Sequence, residues 1–281
     1  MKKRTTCKIC GGESRYKYHV RGCALSECRK CGFVQMTDSE DTAPYDYGKD
    51  YFVNNKYKDK SALEKEYGRR KKMLMKYVPV RSRVLDAGCA TGDFVDYISH
   101  TYYAVGYDVS ADAIEIGRKR FPHTGRHLFE IKEFESRTIK YDAICMWDVI
   151  EHLPEPDKTA EWLKDKLKPQ GYLLISTPNI GAPFAKITKG KWPFMTPPEH
   201  ISFFTKKSFA ELADRLDMDM IAWKSRGKFA NAGFILYKFN RVSNLKIPAP
   251  IIRLFEGPVL RKLHIYVPTG DIQYLVLRKR N

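Results

Sequence analysis

The sequence predicts an α/β protein with helices on both faces of a mainly parallel sheet, preceded by a small module held by a metal. Two observations carry this expectation. Apolar runs closing on a carboxylate, Val84-Leu85-Asp86 and Tyr103-Ala104-Val105-Gly106-Tyr107-Asp108, alternate with helix-length segments, and a bend containing Gly88 and Gly92 lies between them. Upstream, Cys7-Lys8-Ile9-Cys10 and Cys28-Arg29-Lys30-Cys31 repeat one Cys-x-x-Cys pair. A chain of 281 residues, 43% hydrophobic and 13% aromatic, can bury one full α/β core beside such a module.

Charge narrows the partners only partly. Fifty Lys and Arg against thirty-three Asp and Glu give +17, which favours nucleic acid, a nucleotide or phosphorylated substrate, or an acidic membrane surface, and equally fits a generally basic protein. No apolar run approaches the roughly 18 residues of a membrane span. Met1-Lys2-Lys3-Arg4 is followed by cysteines and not by an apolar core, so no signal peptide and a cytoplasmic location are expected. Seven cysteines then read as metal ligands or reduced thiols.

Taken in order, residues 1–40 are expected to form a zinc ribbon. Each Cys pair is followed by glycine, which permits the turn that aims amides at the thiolates, so Cys7, Cys10, Cys28 and Cys31 predict a tetrahedral zinc site. A four-sulfur iron site would use the same ligands. Cys23 and His19 fall outside the pattern. Residues 41–82 are a linker and a cap helix. Its aromatic cluster includes Tyr47 and Tyr51, which would wall a substrate or dock the ribbon. Ser61 to Tyr77 is the helix, with Arg69 to Lys72 on a solvated face.

Residues 83–281 are the main domain. Val84-Leu85 ends a buried strand, and Gly88 and Gly92 turn the chain into a helix near Asp93, letting backbone approach an anionic or phosphorylated ligand. A dinucleotide-binding loop looks much the same. Asp86 could hold an ammonium, and Asp108, ending the second strand, suits ribose hydroxyls. Ser110 caps the next helix. A short strand is expected over His127–Ile131. Tyr141 to Trp147 is a further strand, which brings Trp147, Asp148, Glu151 and His152 to the ligand crevice. A helix from Asp157 and a strand from Tyr172 to Ile175 follow. Gly181 to Pro198 is an irregular loop of functional length, and Thr205 begins a helix. Strands are expected near Met218–Trp223 and Ile272–Leu277, with a helical insertion at about 228–265 between them. The basic amphipathic part of that insertion, 250–263, is a lid, a dimer contact, or a peripheral membrane surface.

Val-Leu-Asp-Ala-Gly-Cys-Ala-Thr-Gly followed by Gly-Tyr-Asp resembles the cofactor loop of class I S-adenosylmethionine-dependent methyltransferases, with Ala90 where the family commonly has glycine. The resemblance implies a Rossmann-like sheet of seven strands. It also implies cofactor contacts at Asp86, Ala87, Gly88, Cys89, Gly92, Asp108, Val109, Trp147 and Asp148. Glu151-His152-Leu153-Pro154 is similar to the version found in O- and C-methyltransferases of small molecules and sugars. Pro198-Glu199-His200-Ile201-Ser202-Phe203-Phe204-Thr205 resembles a segment of methyltransferases of polysaccharide and modified-sugar biosynthesis. His200 is then the expected base or acceptor contact, with Glu199 orienting it and His152 beside it. A bracing role for each histidine is the plainer alternative. The expected partner is a small-molecule or saccharide acceptor of anionic character. An RNA acceptor, an inactive zinc-ribbon adaptor and, more remotely, an NAD(P)-dependent enzyme are the rivals.

Overall fold

The computed structural model describes residues 4–39, 60–231, 235–236, 240, 247–255 and 264–281. Tyr47, Tyr51 and residues 256–263 of the amphipathic stretch lie outside them. Among the described residues the elements are β1 (Thr5–Thr6), β2 (Glu13–Val20), β3 (Cys23–Cys28), β4 (Val34–Ser39), α1 (Lys60–Tyr77), β5 (Arg83–Ala87), α2 (Asp93–Ser99), β6 (Tyr103–Asp108), α3 (Ala111–Arg120), β7 (Leu128–Glu130), α4 (Ile131–Glu135), β8 (Tyr141–Trp147), α5 (Pro156–Asp165), β9 (Leu167–Pro178), α6 (Pro183–Thr188), β10 (Ser202–Phe203), α7 (Lys206–Arg215), β11 (Met218–Asn231), α8 (Ala249–Phe255) and β12 (His264–Lys279).

Seven strands form one sheet in the order β11-β12-β9-β8-β5-β6-β7. The five from β9 to β7 pair in parallel, and β12 and β11 close the other edge antiparallel. Burial on both faces explains why the central strands are mostly apolar, as in Ala143–Trp147 of β8 and Tyr172–Ile175 of β9. Along β8, Ile144 and Met146 enter the core on one face, while Ala143, Cys145 and Trp147 enter the core on the other. Helix starts follow local chemistry: the Ser110 hydroxyl accepts from the Ala113 amide, and Thr205 and Ser208 form a reciprocal capping box at α7.

The last two strands run longer than expected and replace part of the helical insertion. Phe229 pairs with Tyr266 and Asn231 with His264, so residues 228–231 and 264–265 are strand. Gly227 lies at the register shift between Arg226 and Lys228, where an added Cβ would stand 1.8 Å from the Val267 carbonyl oxygen. Only backbone without a side chain passes there. Of the amphipathic stretch, α8 is described, with Ile251 and Leu254 exposed.

The cysteine module is not a free appendage. Its sheet has the order β1-β2-β3-β4-β10, and β10 comes from the loop region after His200. Ser202 pairs with Gln35, Phe203 with Val34, and the Met36 amide donates to the Ile201 carbonyl at 2.9 Å. Phe33 packs on Phe204 with ring centroids 4.8 Å apart, and the ligand cysteines share one apolar core with Leu85, Ile144 and Leu212. Thr205 Oγ1 donates to the Cys31 carbonyl, and Lys30 pairs with Glu211. The irregular loop is anchored by the fully buried Trp192, whose indole N–H donates to Asp271 at 2.9 Å. No described helix is long and apolar enough to cross a membrane.

Candidate active site

The bend after β5 is held from β6. The amides of Gly88 and Cys89 both donate to the Tyr107 carbonyl at 2.9 Å, and the Asp108 carboxylate accepts from the amides of Ala90 (2.8 Å) and Ser110 (2.9 Å). Gly88 and Gly92 have φ of 74° and 75°, and side chains there would also run into Val149 and Leu128. Ala90 sits at φ 50°, a left-handed conformation that costs an L-residue about 1 kcal/mol, which is the physical reason glycine is the usual occupant. Cys89 turns its thiol into the core against Gly106 and Ala87 is buried, so their backbone is what faces a ligand; the Val109 side chain is exposed.

Asp86 is 4% exposed. Burial pushes its carboxyl up to about 7, with Arg70 opposing and Asp108 adding to the shift. Burial likewise raises Asp108, against the amides that donate to it. At the end of β8, the Trp147 indole Nε1 is buried with no hydrogen-bond partner among the described residues. Such an orphaned donor beside the bend suits a polar ligand atom.

Arg70 is the residue that sequence reasoning missed. Expected on a solvated face of α1, it instead has a side chain only 13% exposed, pairs through Nη2 with Asp148 at 2.7 Å and lies over the Trp147 ring at 5.3 Å. Asp148 also accepts from Ser176 Oγ and has φ 57°. The signal available in sequence was weak: one arginine within the run Arg69-Arg70-Lys71-Lys72.

Across Trp147 and Asp148, Glu151, His152 and His200 come together. One donor atom from each lies within 4.8 Å of the others. The two imidazoles meet edge to face at 4.7 Å. His152 Nδ1 donates to the Glu199 carbonyl and His200 Nδ1 to the Phe194 carbonyl, both at 2.8 Å. A carbonyl only accepts, so each neutral ring keeps its lone pair at Nε2. The Phe194 carbonyl thus fixes one edge of the His200 ring, and the Glu199 carbonyl one edge of the His152 ring. Glu151, 1% exposed, accepts from Thr177 Oγ1 at 2.8 Å, and its own carbonyl accepts from the Ile201 amide.

At the far end, the four cysteine sulfurs of Cys7, Cys10, Cys28 and Cys31 lie within 4.8 Å of one another, with Cys7–Cys31 at 3.7 Å and Cys10–Cys28 at 3.5 Å. A tetrahedral metal with bonds of about 2.3 Å to sulfur sets these edges near 3.8 Å, whereas a disulfide needs about 2.05 Å. The donor set therefore fits a metal. The Cys31 thiol and the amides of Cys10 and Ile9 favour the Cys7 thiolate, drawing its pKa down to about 5.

Residues 60–222, more than half of the chain, match the family described as "Methyltransferase domain". The chain belongs to the methyltransferase domain family. Among its relatives is the ubiquinone biosynthesis O-methyltransferase of Pasteurella multocida, 30% identical over 112 residues, which are 34% of this chain and 46% of that protein. The Shewanella pealeana enzyme of the same name is 24% identical over 148 residues, 48% of this chain and 63% of that protein. The chain thus spans less than two thirds of the length of these curated relatives. In fold, the domain is similar to a SAM-dependent methyltransferase from Archaeoglobus fulgidus (TM-score 0.51, 18% identity, 77% of this chain and 94% of that one). It is also similar to the N-methyltransferase NodS of Bradyrhizobium japonicum in complex with S-adenosyl-L-homocysteine (TM-score 0.52, 14% identity, 82% and 95%).

Proposed function

We propose that this methyltransferase-domain protein transfers a methyl group from S-adenosylmethionine to an oxygen or carbon nucleophile of an anionic small-molecule or saccharide acceptor. The carrying observation is a carboxylate-braced bend whose Gly88 lies against Val149, two residues before Glu151 of a Glu-His-His cluster in which Glu151 and His200 are buried. When bound, S-adenosylmethionine supplies a methyl group made electrophilic by its sulfonium. The backbone of Ala87, Gly88, Cys89 and Gly92 lines its site, with Val109 as an apolar wall. Asp86 suits an ammonium, Asp108 a pair of hydroxyls, and Trp147 Nε1 a polar acceptor atom, while Asp148 is fixed by Arg70. On the other side, His200 and His152 present imidazole lone pairs that orient the nucleophile and take its proton. For the cysteine cluster we propose structural zinc. Elemental analysis of the purified chain separates zinc from iron.

The test is mass spectrometry of acceptors incubated with the protein and methyl-labelled cofactor. Label on small hydroxylated or saccharide acceptors supports the reading. Label confined to RNA, with binding that falls steeply with salt, replaces it by the RNA reading that the net charge of +17 also suits.

Two binding experiments probe the donor side. Asp108→Ala removes two charge-assisted hydrogen bonds to hydroxyls and the brace on Ala90, so calorimetry is expected to show S-adenosylmethionine bound roughly 10–100-fold more weakly. If the charged Asp86 carboxylate receives the cofactor ammonium, its pKa of about 7 makes binding pH-dependent. About a tenth of the carboxyl is ionised at pH 6 and about nine tenths at pH 8, so affinity should rise about tenfold between them. Asp86→Asn should flatten that slope, and a slope unchanged in the variant would clear Asp86 of the role.

A further inference from the structure

We infer that Glu151, His152 and His200 form a second metal site, for a divalent transition cation such as Zn²⁺, Fe²⁺ or Mn²⁺, and that the cation's open positions take an oxygen of the acceptor. The inference rests on the proposed acceptor pocket and adds to it the class of acceptor, an alcohol, phenol or enol bound through oxygen.

The donor set is one carboxylate and two imidazoles, with one donor atom from each inside 4.8 Å. Two imidazoles and a carboxylate bind first-row divalent cations and leave positions for water or substrate. Both rings are held as ligating histidines are held, with Nδ1–H given to a backbone carbonyl. The carboxylate has its own outer partner, since Thr177 Oγ1 engages Oε2. All three ligands are positioned by backbone pairings: the Ile201 amide to the Glu151 carbonyl ties the Glu151-His152 turn to the His200 loop. Glu151 and His200 are 1% and 4% exposed, while His152 is only partly buried and stands at the mouth. Metal bonds of about 2.1 Å need donor separations near 3.4 Å, so the three draw together by about an ångström. With a cation bound, the two rings would be its ligands and no longer proton acceptors, and an acceptor hydroxyl entering an open position would lose its proton to solvent and bind as the oxyanion.

The experiment is metal binding by the full chain produced with cobalt, which gives intense thiolate-to-cobalt charge transfer at the cysteine site and none at a His/Glu site. The expected result is two equivalents of Co²⁺, of which one carries charge transfer. Glu151→Gln and His200→Ala should each weaken the second equivalent at least about 100-fold. They should leave the charge-transfer band intact, which also reports that the chain has folded. One equivalent only in the unaltered chain, or a second equivalent indifferent to both substitutions, overturns the site. S-adenosylmethionine binding, measured by calorimetry on the same samples, tests the methyl-transfer reading separately. Methyl transfer that persists with one equivalent bound removes the second metal and leaves His200 as a metal-free proton acceptor.

Discussion

His200→Ala should lower kcat by about 10²-fold or more while leaving the affinity for S-adenosylmethionine within about twofold. The ring is 4% exposed and held by the Phe194 carbonyl, edge to face with His152. Its hydrogen bond to Phe194 and its ring contacts with His152 and Phe203 lie outside the bend that Asp108 braces, so its removal is expected to act on the proposed acceptor side. Truncation leaves a small void lined by Phe203 and His152, and a thermal melt alongside the kinetics separates lost chemistry from lost folding. If turnover is unchanged, the imidazole only braces the loop. If cofactor affinity and turnover fall together, the two sides of the site are not separable in the way described.

Cys28→Ser is expected to have the larger effect on stability and an effect on turnover at a distance. A structural zinc site contributes apparent binding free energy on the order of 10 kcal/mol to the fold that forms it, so losing one thiolate should cost on the order of 5 kcal/mol or more within the module. That loss would not stay local. β4 pairs with β10, and His200 lies two residues before β10. The same segment is tied to Glu151 through the Ile201 amide. A shift of about 1 Å in a positioned group can cost about 10²-fold in rate. Cys28→Ser should therefore reduce kcat about 100-fold at temperatures where the main sheet remains folded. Cofactor affinity should hardly change, because the bend between β5 and α2 makes no pairing with the module's sheet. Circular dichroism fixes the working temperature. Turnover that survives Cys28→Ser would show that β10 keeps its place without the metal.

The legible part of the fold was the part with period and punctuation. β8 coincides with the expected run Tyr141–Trp147, because alternate residues feed two cores and the run is apolar from Ala143 to Trp147. The Ser110 and Thr205 caps were readable because a hydroxyl before a helix satisfies amides that the helix cannot. The paired cysteines were readable because four thiols at that spacing have few other uses. What escaped has no local signal. β10 is two residues long, and two residues carry no alternation; only its partner β4 makes it a strand. Arg70 belongs to a basic run that looks solvated until α1 docks and brings it to Asp148. Phe229 to Asn231 looked helical, yet their pairing across Tyr266, Ile265 and His264 is long-range. The contact of His200 with the Phe194 carbonyl escaped for a similar reason: a backbone carbonyl six residues away has no signature in composition.

The seam between β4 and β10 also limits how this protein can be re-engineered. A chimera that exchanges residues 4–39 for another metal module would have to present a matching edge at Val34 and Gln35. Without it, Ser202 and Phe203 become an open border able to recruit a neighbouring molecule. Clumping of such hybrids, cured by grafting the recipient's border residues together with the donor's module, would mark the seam as inherited with both halves.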